Sequence, residues 1–183
     1  MRQPLIITKL QLLAAARRAD CCSQYQMRIL KAKNKDDLLR TGTDGLRFCL
    51  ANDYPNRNYI LRNFSKDELH RHGIYMDEQI EQSNPSPKQT IVALGGCTGH
   101  LDYNDWDCHR VAITHTGEVN IVARNHTFVI VYIYDRAKVK IHLEDHASVV
   151  AYFYGDAEKP VMTRNSDSRA TYKVIHREIQ NKQ

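Results

Sequence analysis

The sequence lacks the long apolar segments that would assign it to a membrane or a secretory pathway. Its apolar runs, such as Leu10–Ala16, fall well short of the roughly 20 residues that a membrane-spanning helix needs. Lys9 comes soon after the short apolar run Pro4–Ile7, and Arg17-Arg18 follow Leu10–Ala16, an order of charges that is poor for a secretory signal peptide. We therefore expect a protein without a membrane partner.

Cysteines are too few and too irregular to indicate a disulfide framework. There are five, an odd number, and two of them, Cys21 and Cys22, are adjacent. Free thiols of this kind are typical of a reducing compartment. The sequence therefore predicts a cytoplasmic protein, either of a cell or of a host cell infected by a virus.

Familiar catalytic motifs are also missing from the sequence, which has no nucleophile elbow, no P-loop and no paired-histidine zinc motif. One cluster has metal-binding side chains within thirteen residues: Cys97, His100, Cys108 and His109. Thiolate and imidazole suit zinc, but a strand would point the adjacent Cys108 and His109 to opposite faces. We predict a non-enzymatic protein without a cofactor, with this cluster as the candidate metal site.

A ten-residue repeat dominates the chain from residue 91 to residue 174. Its blocks open on turn residues, such as Asn125, Asp135 and Asp145, and continue as alternating apolar and polar residues. Strict alternation over six residues is typical of a strand with one buried face, and a fixed period without insertions indicates a repeat architecture. The expected inward positions are Leu101, Val111, Val119, Ile121, Val129, Val131, Val139, Ile141, Val149, Ala151 and Val161.

The outward residues decide which repeat fold is expected. Ten of the twelve outward residues in blocks 128–134, 148–154 and 168–174 are apolar or aromatic, against three of twelve in the intervening blocks. In a flattened coil of twenty residues, odd and even strands lie on opposite walls, so each wall has one chemistry. A simple antiparallel meander would instead mix the two chemistries. This pattern favours a two-walled parallel β-solenoid, with an antiparallel sheet wrapped around a helix as the alternative.

The chain divides into three regions. Residues 1–75 have helical periodicity, including a capping box from Ser65 to Glu68. Residues 76–90 have the composition of a linker, with Pro85 and Pro87 near its centre. Residues 91–179 hold the repeats. The predicted fold class is therefore α+β, a small helical N-terminal head followed by a parallel β-solenoid of ten-residue half-coils.

The repeat units Asp135-Arg136-Ala137-Lys138-Val139 and Asp145-His146-Ala147-Ser148-Val149 resemble a loose family of bacterial and phage decapeptide-repeat proteins. The resemblance covers residues 117–157 well and the head poorly. It implies a β-solenoid behind a small helical head, and it implies no activity and no functional residue.

The apolar outward residues predict an interaction surface. Tyr132, Tyr152 and Tyr172 are expected to form one ladder, with Tyr134 and Tyr154 in a second ladder and Phe128 on the same wall. Exposed apolar patches mark interfaces, and tyrosine is favoured there. The alternative is that the chain's own helices cover this wall. We predict a non-catalytic interaction or scaffold protein that binds a host protein complex or itself, and we take a phage or mobile element as the hypothesis for its origin.

The basic head supports a second hypothesis, a protein associated with nucleic acid. Residues 1–40 hold nine Lys or Arg against three Asp or Glu, whereas the rest of the chain holds seventeen against eighteen. A basic helical segment can contact phosphates. The candidate residues are Arg17, Arg18, Arg28, Lys31, Lys33 and Lys35.

Overall fold

The structure is a computed structural model, and it describes residues 3–179. The chain forms two compact units that divide between His72 and Gly73. The first unit is helical and the second is a β-solenoid of about five turns. The predicted α+β class, with helices first and a parallel solenoid after them, is therefore confirmed.

Within the described residues, the first unit consists of six helices. Buried residues such as Leu12, Ile29 and Leu38 form its core. The capping box expected at Ser65 is present, since Ser65 Oγ accepts from the Glu68 N–H and the Glu68 carboxylate accepts from the Ser65 N–H. The helices are α1 Leu5–Arg18, α2 Ser23–Lys31, α3 Lys35–Asp44, α4 Leu46–Ala51, α5 Arg57–Asn63 and α6 Lys66–His70.

The second unit consists of two parallel sheets whose strands alternate along the chain. One sheet has the order β1-β3-β5-β7-β9-β11 and the other has the order β10-β8-β6-β4-β2. Consecutive strands therefore lie on opposite walls, as predicted. The strands are β1 Ile74–Met76, β2 Gln79–Ser83, β3 Thr90–Leu94, β4 Thr98–Asp105, β5 Cys108–Ile113, β6 Glu118–Asn125, β7 Phe128–Ile133, β8 Lys138–Leu143, β9 Ser148–Tyr154, β10 Val161–Arg164 and β11 Thr171–Arg177.

The register of the central coils is twenty residues. Val129 lies beside Val149 on one wall, and Val119 lies beside Val139 on the other. Alternate residues point inward, where they form a continuous aliphatic core. The inward positions expected from alternation are buried in these coils, so the predicted register is confirmed from Leu101 to Ala151.

The corners between the walls need residues that tolerate positive φ, and the repeat supplies them. Asn125, Asp135, Asp145 and Gly155 all adopt φ between 53° and 58°. Asparagine, aspartate and glycine reach this left-handed region at the lowest cost. The aspartates also join the coils, because Asp145 Oδ2 accepts from the Asn125 N–H at 3.0 Å and Asp135 Oδ2 accepts from the His115 N–H at 3.0 Å.

The solenoid begins earlier than the sequence predicted. β1 and β2 lie within or next to residues 76–90, which were predicted to be a linker, and they pair with β3 and β4. The spacing there is 18 and 19 residues rather than twenty, because Ile74 pairs with Val92 and Gln79 with Thr98. A search for a strict ten-residue period misses this shorter first coil.

The last coil departs from the period in the other direction. Val161 pairs with Lys140 and Thr171 pairs with Ser148, so the spacing grows to 21 and then 23 residues. The expectation of a fixed period through residue 174 is therefore wrong after Tyr154. Val161, predicted to point inward, is exposed, and its neighbour Met162 packs against the core instead.

Candidate interaction surfaces

The outward face of β7 and β9 is apolar, and we call it the apolar wall. It consists of Phe128, Ile130, Tyr132, Val150 and Tyr152, all half-buried. The rings of Tyr132 and Tyr152 stack with their centroids 5.7 Å apart and an interplanar angle of 13°. This stack follows directly from the parallel register, which places identical positions of successive coils side by side.

The apolar wall has basic residues on its rim. Arg110 on β5 is exposed and lies beside Ile130 of β7. Lys173 on β11 is exposed and lies beside Val150 of β9. The guanidinium of Arg177 lies over the Tyr152 ring at 5.3 Å from its centroid. An apolar centre within a polar rim is the usual anatomy of a protein–protein interface.

Tyr134 and Tyr154 do not belong to this wall. They were predicted to form a second outward ladder, but they are only 1% and 6% exposed. Their rings stack at 4.3 Å with an interplanar angle of 1°. Each precedes a corner residue with positive φ, Asp135 or Gly155, and the strand alternation ends at the corner. Their side chains are therefore buried and do not contribute to an exposed surface.

Tyr172 does not extend the ladder of Tyr132 and Tyr152 either. The spacing of 23 residues pairs it with the inward Val149, whereas Ile175 occupies the position beside Tyr152. Tyr172 lies at the end of the described stack and is 50% exposed. With Met162, Arg164 and Thr171 it lines a cavity of about 490 Å³ there.

The opposite wall is charged. Arg124 donates to Asp102 on one neighbouring coil and to Glu144, at 2.9 Å, on the other. The hydrogen bond to Asp102 is the main reason that the pKa of Arg124 lies above its usual value. Lys138 pairs with Glu118 at 3.2 Å, and both side chains are largely exposed. The two walls thus differ in chemistry as the outward residues predicted.

The basic residues of the head are partly engaged within the head. Arg28 pairs with Asp44, Lys35 Nζ donates to the Asn63 carbonyl oxygen, and Arg17 Nε donates to Gln26 Oε1 at 3.3 Å. These contacts use three of the six side chains that were candidates for phosphate binding. The remaining three candidates are Arg18, Lys31 and Lys33.

The candidate metal residues are not brought together. Cys97 and His109 are fully buried, whereas Cys108 is exposed and faces outward on β5. His100 lies on β4, in the opposite sheet from β5. Within residues 3–179, no group of three His, Cys, Asp or Glu side chains has the geometry to hold a metal ion. Strand alternation separates Cys108 from His109, as their adjacency in sequence suggested.

Two of the cysteines in the head are poor nucleophiles. Burial raises the pKa of the Cys21 thiol and of the Cys49 thiol to about 11. Cys49 also lies 3.4 Å from the hydroxyl of Tyr25, which is itself buried. Since the thiolate is the reactive form, both side chains serve chiefly as small apolar groups at neutral pH.

His109 belongs to a polar cluster inside the solenoid. His109 Nε2 lies 2.8 Å from Asp105 Oδ2, and Thr127 Oγ1 donates to the Asp105 main-chain and side-chain oxygens. The ring of Tyr103 packs 4.6 Å from the ring of His109. Burial raises the pKa of the Asp105 carboxyl, but hydrogen bonds from Asp107 N–H, His109 and Thr127 outweigh burial and leave that pKa below its usual value.

One exposed feature was not anticipated from the sequence. Trp106, 76% exposed, stacks on His126 at 4.0 Å, and His126 stacks on His146 at 4.7 Å. These residues occupy the same corner position in three successive coils. Their spacing of twenty residues was the available signal, but strand alternation assigns no direction to corner residues.

Comparison of the chain with known protein families, with curated proteins and with solved structures gave no match. In the part of the chain that the structure describes, no helix combines the length and the apolar character needed to cross a membrane. The resemblance to decapeptide-repeat proteins is therefore supported only in its fold, a parallel β-solenoid behind helices.

Proposed function

We propose that this chain is a non-catalytic interaction or scaffold protein and that the apolar wall binds a protein partner. The observation that carries the proposal is the Tyr132–Tyr152 stack in an apolar outward row, on a solenoid whose opposite wall is charged. Outward positions are free of the demands of the core. Apolar side chains concentrated on one wall are the composition that an interaction surface requires.

The wall suits a flat partner surface with an apolar centre and an acidic rim. Tyrosine offers a large contact area for a small loss of side-chain entropy, and the stack already holds both rings in place. Arg110 and Lys173 on the rim would meet carboxylates of the partner. A rigid parallel ladder keeps these groups at fixed spacings, so less freedom is lost when the partner binds.

We further propose that the chain works in the cytoplasm and that its partner is either a host protein complex or a second copy of the chain. Support for the compartment comes from the odd number of cysteines, which stand as free thiols in the structure. Support for an origin in a phage or mobile element comes from the resemblance of the repeat units at Asp135–Val139 and Asp145–Val149.

Site-specific photocrosslinking tests the proposal directly. A photoreactive phenylalanine analogue replaces Tyr132 on the apolar wall, and in the control it replaces Asn120, an outward residue of the charged wall. Irradiation in cells should give a discrete crosslinked product when the analogue is at position 132. A product of the same mass should be absent when the analogue is at position 120. The same products from both positions, or none from position 132, would overturn the proposal.

A further inference from the structure

The first two helices expose an unusual share of the chain's large apolar side chains. Nine large apolar residues are exposed in the described part of the chain, and five of them lie on α1 and α2. Their exposed fractions range from 41% to 61%. Exposed apolar residues that cluster on one surface often mark an interaction site on a monomer. The five residues, which we call the head patch, are Ile6, Ile7, Leu10, Met27 and Leu30.

The head patch is continuous across the two helices because they pack antiparallel. Lys9 Nζ donates to the Leu30 and Ala32 carbonyl oxygens at 2.5 and 2.8 Å, and Arg17 reaches Gln26 at the other end. The start of α1 therefore lies beside the end of α2. Helical spacing puts Ile6 and Leu10 on one face of α1, next to α2, and puts Leu30 on the adjoining face of α2.

Charge indicates what can cover the head patch. α1 and α2 contain Lys9, Arg17, Arg18, Arg28 and Lys31 and no acidic residue. Arg28 is paired with Asp44, so a second copy docking symmetrically on this patch would bring two sets of four positive charges together, which is unfavourable. An occupant with apolar side chains and carboxylates would gain both apolar burial and charge complementarity.

We propose that the head patch is a docking site for an acidic amphipathic helix of a partner protein. Two antiparallel helices with exposed Ile6, Leu10 and Leu30 offer a third helix a surface to pack against. Carboxylates along the edges of that helix would lie near Arg17, Arg18 and Lys31. The patch also lacks the exposed Trp or Phe side chains that anchor helices at a lipid interface, so a protein segment fits it better than a membrane does.

This site is separate from the apolar wall and has its own test. The probe is a fluorescent synthetic helix with Leu at the i, i+3, i+4 and i+7 positions and Glu elsewhere, and its binding to the full chain is followed by anisotropy. The test variant carries Leu10→Glu and Leu30→Glu. The matched control carries Gln79→Glu and Asn120→Glu, which introduce the same charge at exposed positions on β2 and β6 of the charged wall, outside α1 and α2.

The acidic helix should bind the unmodified chain and the matched control alike, and the test variant should bind at least about tenfold more weakly. Added salt should weaken binding, and a helix with Lys in place of Glu should not bind. Equal binding to the test variant and the control, or no binding of the acidic helix, would overturn the proposal. Binding of phosphatidylserine vesicles that the Leu10→Glu, Leu30→Glu variant abolishes, without binding of the helix, would assign the patch to a membrane surface. A dimer that only the test variant dissociates would assign it to self-association.

Discussion

At the scale of single residues, alternation in the sequence predicted which side chains are buried inside the strands but not at the corners. Val129 and Val139 are buried as expected, whereas Tyr134 and Tyr154 are buried against expectation. The reason is physical: a strand fixes which face a side chain takes, but a corner residue with positive φ turns the chain. The Trp106 stack lies at such a corner and was missed for the same reason.

The first prediction concerns Trp106, which is the chain's one tryptophan. Because its side chain is 76% exposed, its fluorescence emission should peak near that of free tryptophan in water, and iodide should quench it readily. His126→Ala removes the ring stacked on it and should increase quenching further. A blue-shifted emission that iodide does not quench would show that the corner is covered.

The second prediction concerns Asp105, whose carboxylate accepts from Asp107 N–H, Thr127 and His109. Asp105→Asn should lower the free energy of unfolding by about 1–2 kcal/mol at neutral pH, as expected for weakened hydrogen bonds to a charged group. The folded-state pKa lies below the unfolded value, so this stabilisation is present above the unfolded pKa of about 3.9 and is lost as the pH falls through the folded pKa. Urea unfolding at about pH 7 and at about pH 2 should therefore show a smaller difference between the two proteins in acid. If the two proteins differed by the same free energy of unfolding at both pH values, the stabilising role of the Asp105 carboxylate would be contradicted.

At the scale of strands and helices, the ten-residue period predicted the central coils of the solenoid but not its first and last coils. β6 to β9 repeat with a spacing of twenty residues, which the sequence displays plainly. β1 and β2 carry too few residues for alternation to be recognised. The 23-residue spacing before β11 shifts Tyr172 to an inward position that a fixed period cannot anticipate. Of the candidate surface, Phe128, Tyr132 and Tyr152 were identified from the sequence, whereas Tyr134, Tyr154 and Tyr172 were misplaced.

The third prediction tests the register of the strands. Val139 is inward and 4% exposed, so Val139→Asp should destabilise the solenoid by about 3–5 kcal/mol, the cost of an uncompensated buried charge. Lys140 is the next residue on β8 and points outward, so Lys140→Asp should change the stability by no more than about 0.5 kcal/mol. Chemical denaturation followed by circular dichroism measures both changes. Equal losses from the two variants would contradict the register.

At the scale of the whole molecule, the chain joins a helical unit and a solenoid, each with its own candidate surface. The solenoid offers the apolar wall with a basic rim, and the helical unit offers the head patch with basic flanks. Both surfaces favour partners that combine apolar and acidic groups. The two surfaces can be inactivated independently, since no residue belongs to both.

The most direct test of the central claim, that the apolar wall binds a protein partner, is a pair of lysine variants. Tyr132→Lys with Tyr152→Lys places two charges on the apolar wall, and Asn120→Lys with Val122→Lys places two on the charged wall as the control. Light scattering and a melting curve are recorded for each chain, alone and mixed with the partner that photocrosslinking identifies. Light scattering of the tyrosine variant should show a smaller assembly, because the partner or a second copy is no longer bound. Its melting temperature should be unchanged, because lysines on this wall lower stability only where binding would remove them from water. An unchanged mass with a lowered melting temperature would contradict the claim and show that the wall stabilises the chain itself.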